Sequence, residues 1–268
     1  MRVLFCGVRG STPSPGADYV RYGGNTSCVA LSHGDELPSL VLDAGTGLQS
    51  LSRRLGADPF RGTILLGHLH WDHTHGLPFF AAGDRPDSEV ELVMPAQGDL
   101  FEVLERAFSP PHFPITPRQF RGQWVFSGLE PGQHRFEGFD VTAREIPHKG
   151  GRTFGYRICD GAATIAYLSD HGPVAGKTSD AVMDLTRDVD LLIHDSQYTA
   201  AEFPARQGFG HATVEYAVEL AAESGARTLA LFHHDPARTD DEVDAIVAGL
   251  TGAPVEVIGA AEGLTVDL

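Results

Sequence analysis

Cysteine is scarce in this 268-residue chain, and the three present, Cys6, Cys28 and Cys159, lie far apart with no Cys-x-x-Cys pair. That pattern sets aside a secreted disulfide framework and suits a reducing cytosol. Basic residues are few beside acidic ones: Lys plus Arg is 20 against 36 for Asp plus Glu, a formal charge of −16. Such a surface repels polyanions, and nucleic-acid affinity needs a basic footprint. A long RNA or DNA partner is therefore disfavoured, although bound cations would reverse the potential inside one cleft, and a small anionic substrate stays compatible. Long apolar runs are absent too, for no stretch approaches the ~20 residues of a membrane span. The opening Met1-Arg2-Val3-Leu4-Phe5-Cys6-Gly7 has no cleavage region behind its short apolar run and reads as a first strand instead of a signal peptide. A cytoplasmic enzyme is the expectation. Linker-like composition and short repeats are also missing, so a single domain over residues 1–268 is expected, with a homodimer left open.

What is present is an ordinary globular composition, 42% hydrophobic, in alternating strand-like and helix-like segments. Strand-like runs include Val3–Phe5, Cys28–Leu31, Leu40–Leu42, Thr63–Leu66, Val90–Val93, Val141–Ile146, Gly155–Ile158, Thr164–Leu168, Leu191–Ile193 and Leu229–Phe232. Several are wholly apolar, as strands covered on both faces would be. Between them, Asp99 to Phe108 carries Leu100, Val103, Leu104 and Ala107 on one side of a helix. Thr213 to Ser224 repeats Val214, Ala217, Val218 and Ala221 at three-and-four spacing, stopped by Gly225. Thr239 followed by Glu242 is a capping box that opens a helix with Val243, Ile246, Val247 and Leu250 inward. The sum is a layered α/β protein. Phe108 to Pro117, aromatic and proline-rich, suits neither helix nor central strand. Two readings stay open for it: a rigid surface connection, or a stiff loop leaning over the active site.

The chemistry is concentrated in Gly67-His68-Leu69-His70-Trp71-Asp72-His73-Thr74-His75-Gly76. Extended residues two apart point the same way, so His68 and His70 can close on one ion. The chain then turns toward a helix, which lets Asp72 and His73 face a second point. Imidazole and carboxylate are the ligands that borderline ions such as zinc prefer. Four such residues within six positions at the exit of an apolar strand read as a metal motif, not as structural histidines.

His68-x-His70-x-Asp72-His73 resembles the signature of the metallo-β-lactamase superfamily, and later elements match in order along essentially the whole chain. The resemblance implies an αββα sandwich with the metals at one edge of the paired sheets. It implies that His148, Asp170 and His233 complete the ligands. One divalent ion, zinc or manganese, would take His68, His70 and His148, the other Asp72, His73 and His233, with Asp170 bridging. The true zinc β-lactamases have cysteine or no protein ligand at the bridging place, and flavodiiron oxygen reductases carry glutamate where His70 stands. Both departures point to the phosphodiesterase and ribonuclease group. Ile193-His194-Asp195-Ser196-Gln197-Tyr198-Thr199 is similar to the His-Glu-Ala-Thr stretch of ribonuclease Z, and Gly210-His211-Ala212-Thr213 to its His-Ser-Thr stretch. The likeness implies that His211 protonates the leaving oxygen while Asp195 orients it, so Asp72, His211 and Asp195 are the expected catalytic residues. A plain helix cap is the alternative for His211.

The stretch from Gly7 to Ser14, with Tyr22 to Ser27, resembles the opening glycine-serine loop of the same group. Asn25, Thr26 and Asp43 are candidates to hold metal-bound histidines, with a plain turn role the alternative for each. Lys149 would either meet a phosphate oxygen or stand in solvent. Against ribonuclease Z itself stands the lack of any long, basic, flexible insertion of the kind that family uses to grip tRNA. The expectation is a phosphodiesterase acting on cyclic nucleotides or similar small diesters. The alternatives are a ribonuclease Z-like endoribonuclease, a hydrolase of lactones, thioesters or β-lactams, and a non-catalytic metal-binding sensor. The last is disfavoured because such relatives lose ligands and all seven are present.

Overall fold

The computed structural model describes residues 1–173 and 178–268. Among them, two seven-stranded sheets lie face to face. The first holds β1 (Arg2–Gly7), β2 (Cys28–Ser32), β3 (Leu40–Leu42), β4 (Arg61–Leu65), β5 (Glu89–Pro95) and β6 (Gln123–Leu129). The second holds β7 (Gly132–Phe136), β8 (Phe139–Glu145), β9 (Phe154–Cys159), β10 (Thr164–Leu168), β11 (Leu191–Asp195), β12 (Thr228–Phe232) and β13 (Glu256–Gly259). The last strand, β14 (Thr265–Asp267), returns to the first sheet beside β1.

The period of two along each strand builds three cores from one chain. Val3 and Phe5 of β1, Leu40 and Leu42 of β3, and Leu191 and Ile193 of β11 meet between the sheets. Their alternates Leu4, Cys6 and Val41 face an outer layer that includes Leu48, Leu51 and Leu55 of α1 (Leu48–Leu55). After the short α2 (Trp71–Thr74), α3 (Leu100–Ala107) packs on this same side. On the other sheet, Leu192 faces the layer of α4 (Asp180–Thr186), α5 (Val214–Ser224) and α6 (Asp240–Gly249). The architecture is the expected αββα sandwich. The Thr239/Glu242 capping box forms, and Gly225 ends α5 in the left-handed region at φ 74°. No helix among the described residues is long and apolar enough to cross a membrane.

Strand direction sets the site. In each sheet a block runs parallel, β3-β4-β5-β6 and β10-β11-β12-β13, while β8 is antiparallel to β9 and β9 to β10. Strands β3, β4, β8, β10, β11 and β12 therefore deliver their carboxyl ends to one edge of the sandwich. Asp43, His68, His148, Asp170, Asp195 and His233 all lie at or just beyond those ends. Ligand sites form there because the strands stop and the chain turns out of the sheet. The segment from Phe108 to Pro117 is a packed connection: buried Phe108 and half-buried Phe113 sit on the outer core of the first sheet, with Phe113 edge-on to Phe79.

Candidate metal centre and active site

The seven residues expected as ligands converge. Ligand atoms of His68, His70, His148 and Asp170 lie within 4.8 Å of one another, and so do those of Asp72, His73, Asp170 and His233. Asp170 belongs to both groups and faces each with a different oxygen. Its Oδ1 is 3.5 Å from His148 Nε2 and 3.8 Å from His68 Nε2. Its Oδ2 is 2.9 Å from His73 Nε2 and 3.3 Å from His233 Nε2. Asp72 Oδ2 completes the second group at 3.2 Å from His233 Nε2 and 3.3 Å from His73 Nε2.

These separations fit a metal better than a hydrogen-bond network. Two ligands each ~2.0–2.1 Å from a tetrahedral ion stand about 3.3 Å apart. His68 Nδ1 and Nε2, His73 Nε2 and Asp170 Oδ2 are buried without a hydrogen-bond partner among the described residues, although His73 Nε2 and Asp170 Oδ2 are close. Buried polar atoms are ordinarily paired, so unpaired ones in each of the two ligand groups call for cations. His148 Nδ1–H donates to the Gly210 carbonyl at 2.6 Å, which leaves its Nε2 as a lone pair, 3.3 Å from His70 Nδ1 and free to bind an ion.

Charge follows the same geometry. Burial, helped by neighbouring imidazoles, holds His68 well below its ordinary pKa, and burial lowers His70 and His148 as well. Neutral imidazoles are what a metal needs. At Asp72 and Asp170 burial pushes the carboxyl up, but the facing imidazoles outweigh it and both stay well below the usual range. Burial would pull His73 down, yet the carboxylates of Asp170, Asp43 and Asp72 drive it well above its ordinary value. Three carboxylates around one imidazole leave a demand for positive charge where a divalent ion would supply it.

Asp43 anchors this centre from behind. Its Oδ2 accepts His73 Nδ1–H at 2.7 Å, together with the hydroxyls of Tyr167 at 2.7 Å and Ser169 at 3.2 Å. Its Oδ1 accepts the Gly67 N–H at 2.6 Å, at the root of the metal motif. The expected partner role is thus held by Asp43 and not by the other two candidates. Asn25 bonds Glu262, and Thr26 exchanges hydrogen bonds with Thr46, so both brace the amino-terminal loop. That loop supplies a residue that sequence reasoning left unassigned: Ser11, at φ 62°, donates its N–H to Asp72 Oδ2 at 2.7 Å. Gly10 beside it is required, since a Cβ there would run into the His233 ring. Lys149 bonds the Gly208 carbonyl at 2.9 Å, which fixes the loop in front of His211.

His211 lies at the rim, its Nδ1 2.8 Å from Asp195 Oδ2, and its ring stacks on His233. Burial works against its charge, but Asp195, reinforced by Asp170 and Asp72, lifts its pKa to about 9. The helix-cap alternative is excluded by geometry, because the α5 cap is the Thr213 hydroxyl, which accepts the Tyr216 N–H. Asp195 is held by the Gln197 and Ala212 N–H groups. Behind it, His194 and His171 form a buried pair at 3.0 Å. A cavity of about 360 Å³ opens in front, bordered on the reacting side by His70, Asp72, Asp170 and His211. None of the described residues 108–117 borders it.

The sequence profile described as a Beta-lactamase superfamily domain matches residues 39–234. Ribonuclease Z of Haloarcula marismortui is 24% identical over 310 aligned positions, covering 98% of this chain and 96% of that protein. Among solved structures, the metallo-beta-lactamase fold protein YhfI of Bacillus subtilis superposes with a TM-score of 0.74 at 20% identity, over 99% of this chain and 98% of that one. The short form of human tRNase Z superposes with a TM-score of 0.71 at 22% identity, over 100% of this chain and 99% of its own.

Proposed function

The chain belongs to the beta-lactamase superfamily as one of its metal-dependent hydrolases, and on that premise we propose that it cleaves small phosphodiesters, cyclic nucleotides among them. The observation that carries the reading is the doubled ligand cluster sharing Asp170, with an acid–carboxylate pair, His211 and Asp195, at its rim. His68, His70 and His148 would hold one divalent ion and Asp72, His73 and His233 the other. Zinc suits this set of imidazoles and carboxylates, and manganese is compatible with it. When bound, two such ions would supply Lewis acidity toward the phosphate and toward a water at neutral pH.

The chain's own residues do the rest. Asp170, facing both groups with its two oxygens, fixes their spacing. Ser11 and Asp43 hold Asp72 and His73 in the orientation that the second group needs. His211 carries a proton at neutral pH, because Asp195 stabilises the imidazolium, and gives it to the departing alkoxide. A diester presents one bridging phosphate flanked by two substituents and leaves room for attack on one side and departure on the other.

A ribonuclease Z-like endoribonuclease is the second reading, favoured by relatives of that name aligned along nearly the whole chain. The net charge of −16 opposes a grip on tRNA. The alignment of 310 positions against 268 residues also means that the relative carries insertions this chain lacks. The test is turnover of bis(p-nitrophenyl) phosphate, p-nitrophenyl phosphate, a panel of cyclic nucleotides and a tRNA precursor by zinc-loaded protein. Diesters and cyclic nucleotides should be cleaved in preference to the monoester and the precursor. Faster release of phosphate from the monoester would contradict the proposal, and efficient trimming of the precursor would replace it with the second reading.

A further inference from the structure

The cavity in front of the ligand cluster is lined by residues of two kinds. Its lining combines the polar Ser11, His70, Asp72, Asp170 and His211 with the apolar Leu69 and Trp71. Trp71 is 66% exposed, although Asp72, His73 and Thr74, which follow it in α2, are all buried. Single exposed apolar residues are common on protein surfaces, so exposure by itself says nothing. What distinguishes Trp71 is its position at the lip of the reacting cavity and the way its ring is held. One face of the indole stacks on His75, centroids 5.5 Å apart and planes 18° from parallel. The opposite face meets no aromatic partner among the described residues. Trp71 also sits between two ligand-type residues, His70 and Asp72, and its carbonyl accepts the His75 N–H, so the backbone that carries the ring is tied into this turn. The stack on His75 is what holds the ring at the lip and leaves its other face open.

The cavity volume, about 360 Å³, lies at the small end of the roughly 300–1,000 Å³ of small-molecule sites. We propose that Trp71 is the specificity-determining residue of this site: its free indole face stacks on a planar, unsaturated substituent of the substrate. The substrate class is then a nucleoside or aryl phosphodiester and not an alkyl one. This rests on the phosphodiesterase reading above and narrows it. Stacking suits the task because every nucleobase offers a π-face, and base–aromatic stacking contributes roughly 5- to 150-fold in affinity.

The test uses AMP and ribose 5-phosphate, which share phosphate and sugar and differ in the base. Zinc-loaded protein is titrated with each, followed by calorimetry and by tryptophan fluorescence. The chain has two tryptophans, and the other, Trp124, is half-buried with its indole N–H on the Gly83 carbonyl, so it supplies a constant background. AMP should bind roughly 5- to 150-fold more tightly than ribose 5-phosphate and quench the fluorescence. Trp71→Ala should erase that ratio, and Trp71→Phe should keep most of it with zinc content unchanged. Because Phe preserves the ring, it keeps the test valid if Ala disturbs zinc binding. Hydrolysis of bis(p-nitrophenyl) phosphate by the parent protein reports separately on the phosphodiesterase reading. Equal affinities in the parent, or an AMP preference that survives in Trp71→Ala, would overturn the stacking role even with hydrolysis intact. Loss of self-association in Trp71→Ala with AMP binding unchanged would overturn it in favour of a subunit contact. An AMP preference that depends on Trp71 without diester hydrolysis would uphold the stacking role and remove the phosphodiesterase.

Discussion

Replacing Asp43 by Asn should weaken one metal position and spare the other. Asp43 is fully buried and accepts four hydrogen bonds, one on Oδ1 from Gly67 and three on Oδ2 from His73, Tyr167 and Ser169. An amide has one accepting oxygen and one donating nitrogen. If the oxygen takes the Oδ2 place, the amide N–H₂ meets the Gly67 N–H, donor against donor. If it is reversed, the N–H₂ meets His73 Nδ1–H and drives the imidazole toward the tautomer whose proton points at the metal position. Either way at least one buried donor is left unpaired, at a cost of about 1–3 kcal/mol in stability. Losing the orienting carboxylate behind a ligating histidine lowers metal affinity about 10- to 100-fold. The assay is competition for zinc between the protein and a chromophoric chelator, with circular dichroism as a check on folding. The weaker step should belong to the group of Asp72, His73 and His233, because Asp43 has no contact with His68, His70 or His148 among the described hydrogen bonds. A folded Asp43→Asn variant that binds both ions with parental affinity would refute the reasoning.

His211→Ala should lower turnover about 10²–10⁴-fold on a diester with a poor, alkoxide leaving group and far less on p-nitrophenyl diesters, with zinc content intact; equal losses on both would argue for phosphate binding instead of acid catalysis. Since the carboxylates hold the proton on His211 up to about 9, above the ordinary histidine value, the acid form is present below that pH and lost above it. Activity on the poor-leaving-group diester should therefore fall as pH rises through about 9, and Asp195→Asn should move that limb to lower pH; a limb unmoved by Asp195→Asn would contradict the pairing. Gly210→Ala should cost about 1–2 kcal/mol for placing a side chain at φ 88°, with its Cβ 3.0 Å from Lys149 Cβ and 3.1 Å from His148 Nδ1. The melting temperature should drop by roughly 2–8 °C and zinc affinity at the His148 position should fall, whereas an unchanged melting curve and unchanged zinc affinity would contradict the crowding of that position.

The parts of the molecule legible in the sequence are those where one local pattern decides the outcome. Wholly apolar runs such as Leu40–Leu42 and Leu191–Ile193 are strands covered on both faces, and the Thr239/Glu242 box opens a helix where its spacing says it should. The crowding of His68, His70, Asp72 and His73 signals metal without any relative. His148, Asp170 and His233 are single residues behind ordinary strands. Only the resemblance singled them out, because their convergence depends on three strand ends meeting. Strands β6 and β7 are the edges of their sheets; in β7 the exposed Gln133 and Arg135 leave no apolar run, whereas Trp124-Val125-Phe126 in β6 is a short signal that sequence reasoning missed. The helix α1 is short, and its Leu48, Leu51 and Leu55 would have revealed it had the three-four-seven spacing been followed. Ser11 could not have been found, since its part is played by a backbone N–H at positive φ. Asp43 left one signal, a carboxylate directly after an apolar strand, and that signal alone could not separate it from Asn25 and Thr26.

On the proposed reading, two ions held on either side of Asp170 make this cleft a phosphodiesterase. Metal-free protein, prepared with chelator and then freed of it, is titrated with zinc while hydrolysis of bis(p-nitrophenyl) phosphate is followed. Turnover should be absent at the start and rise to level off at about two equivalents per chain. Turnover that is complete at one equivalent, or already present before any metal is added, would contradict it.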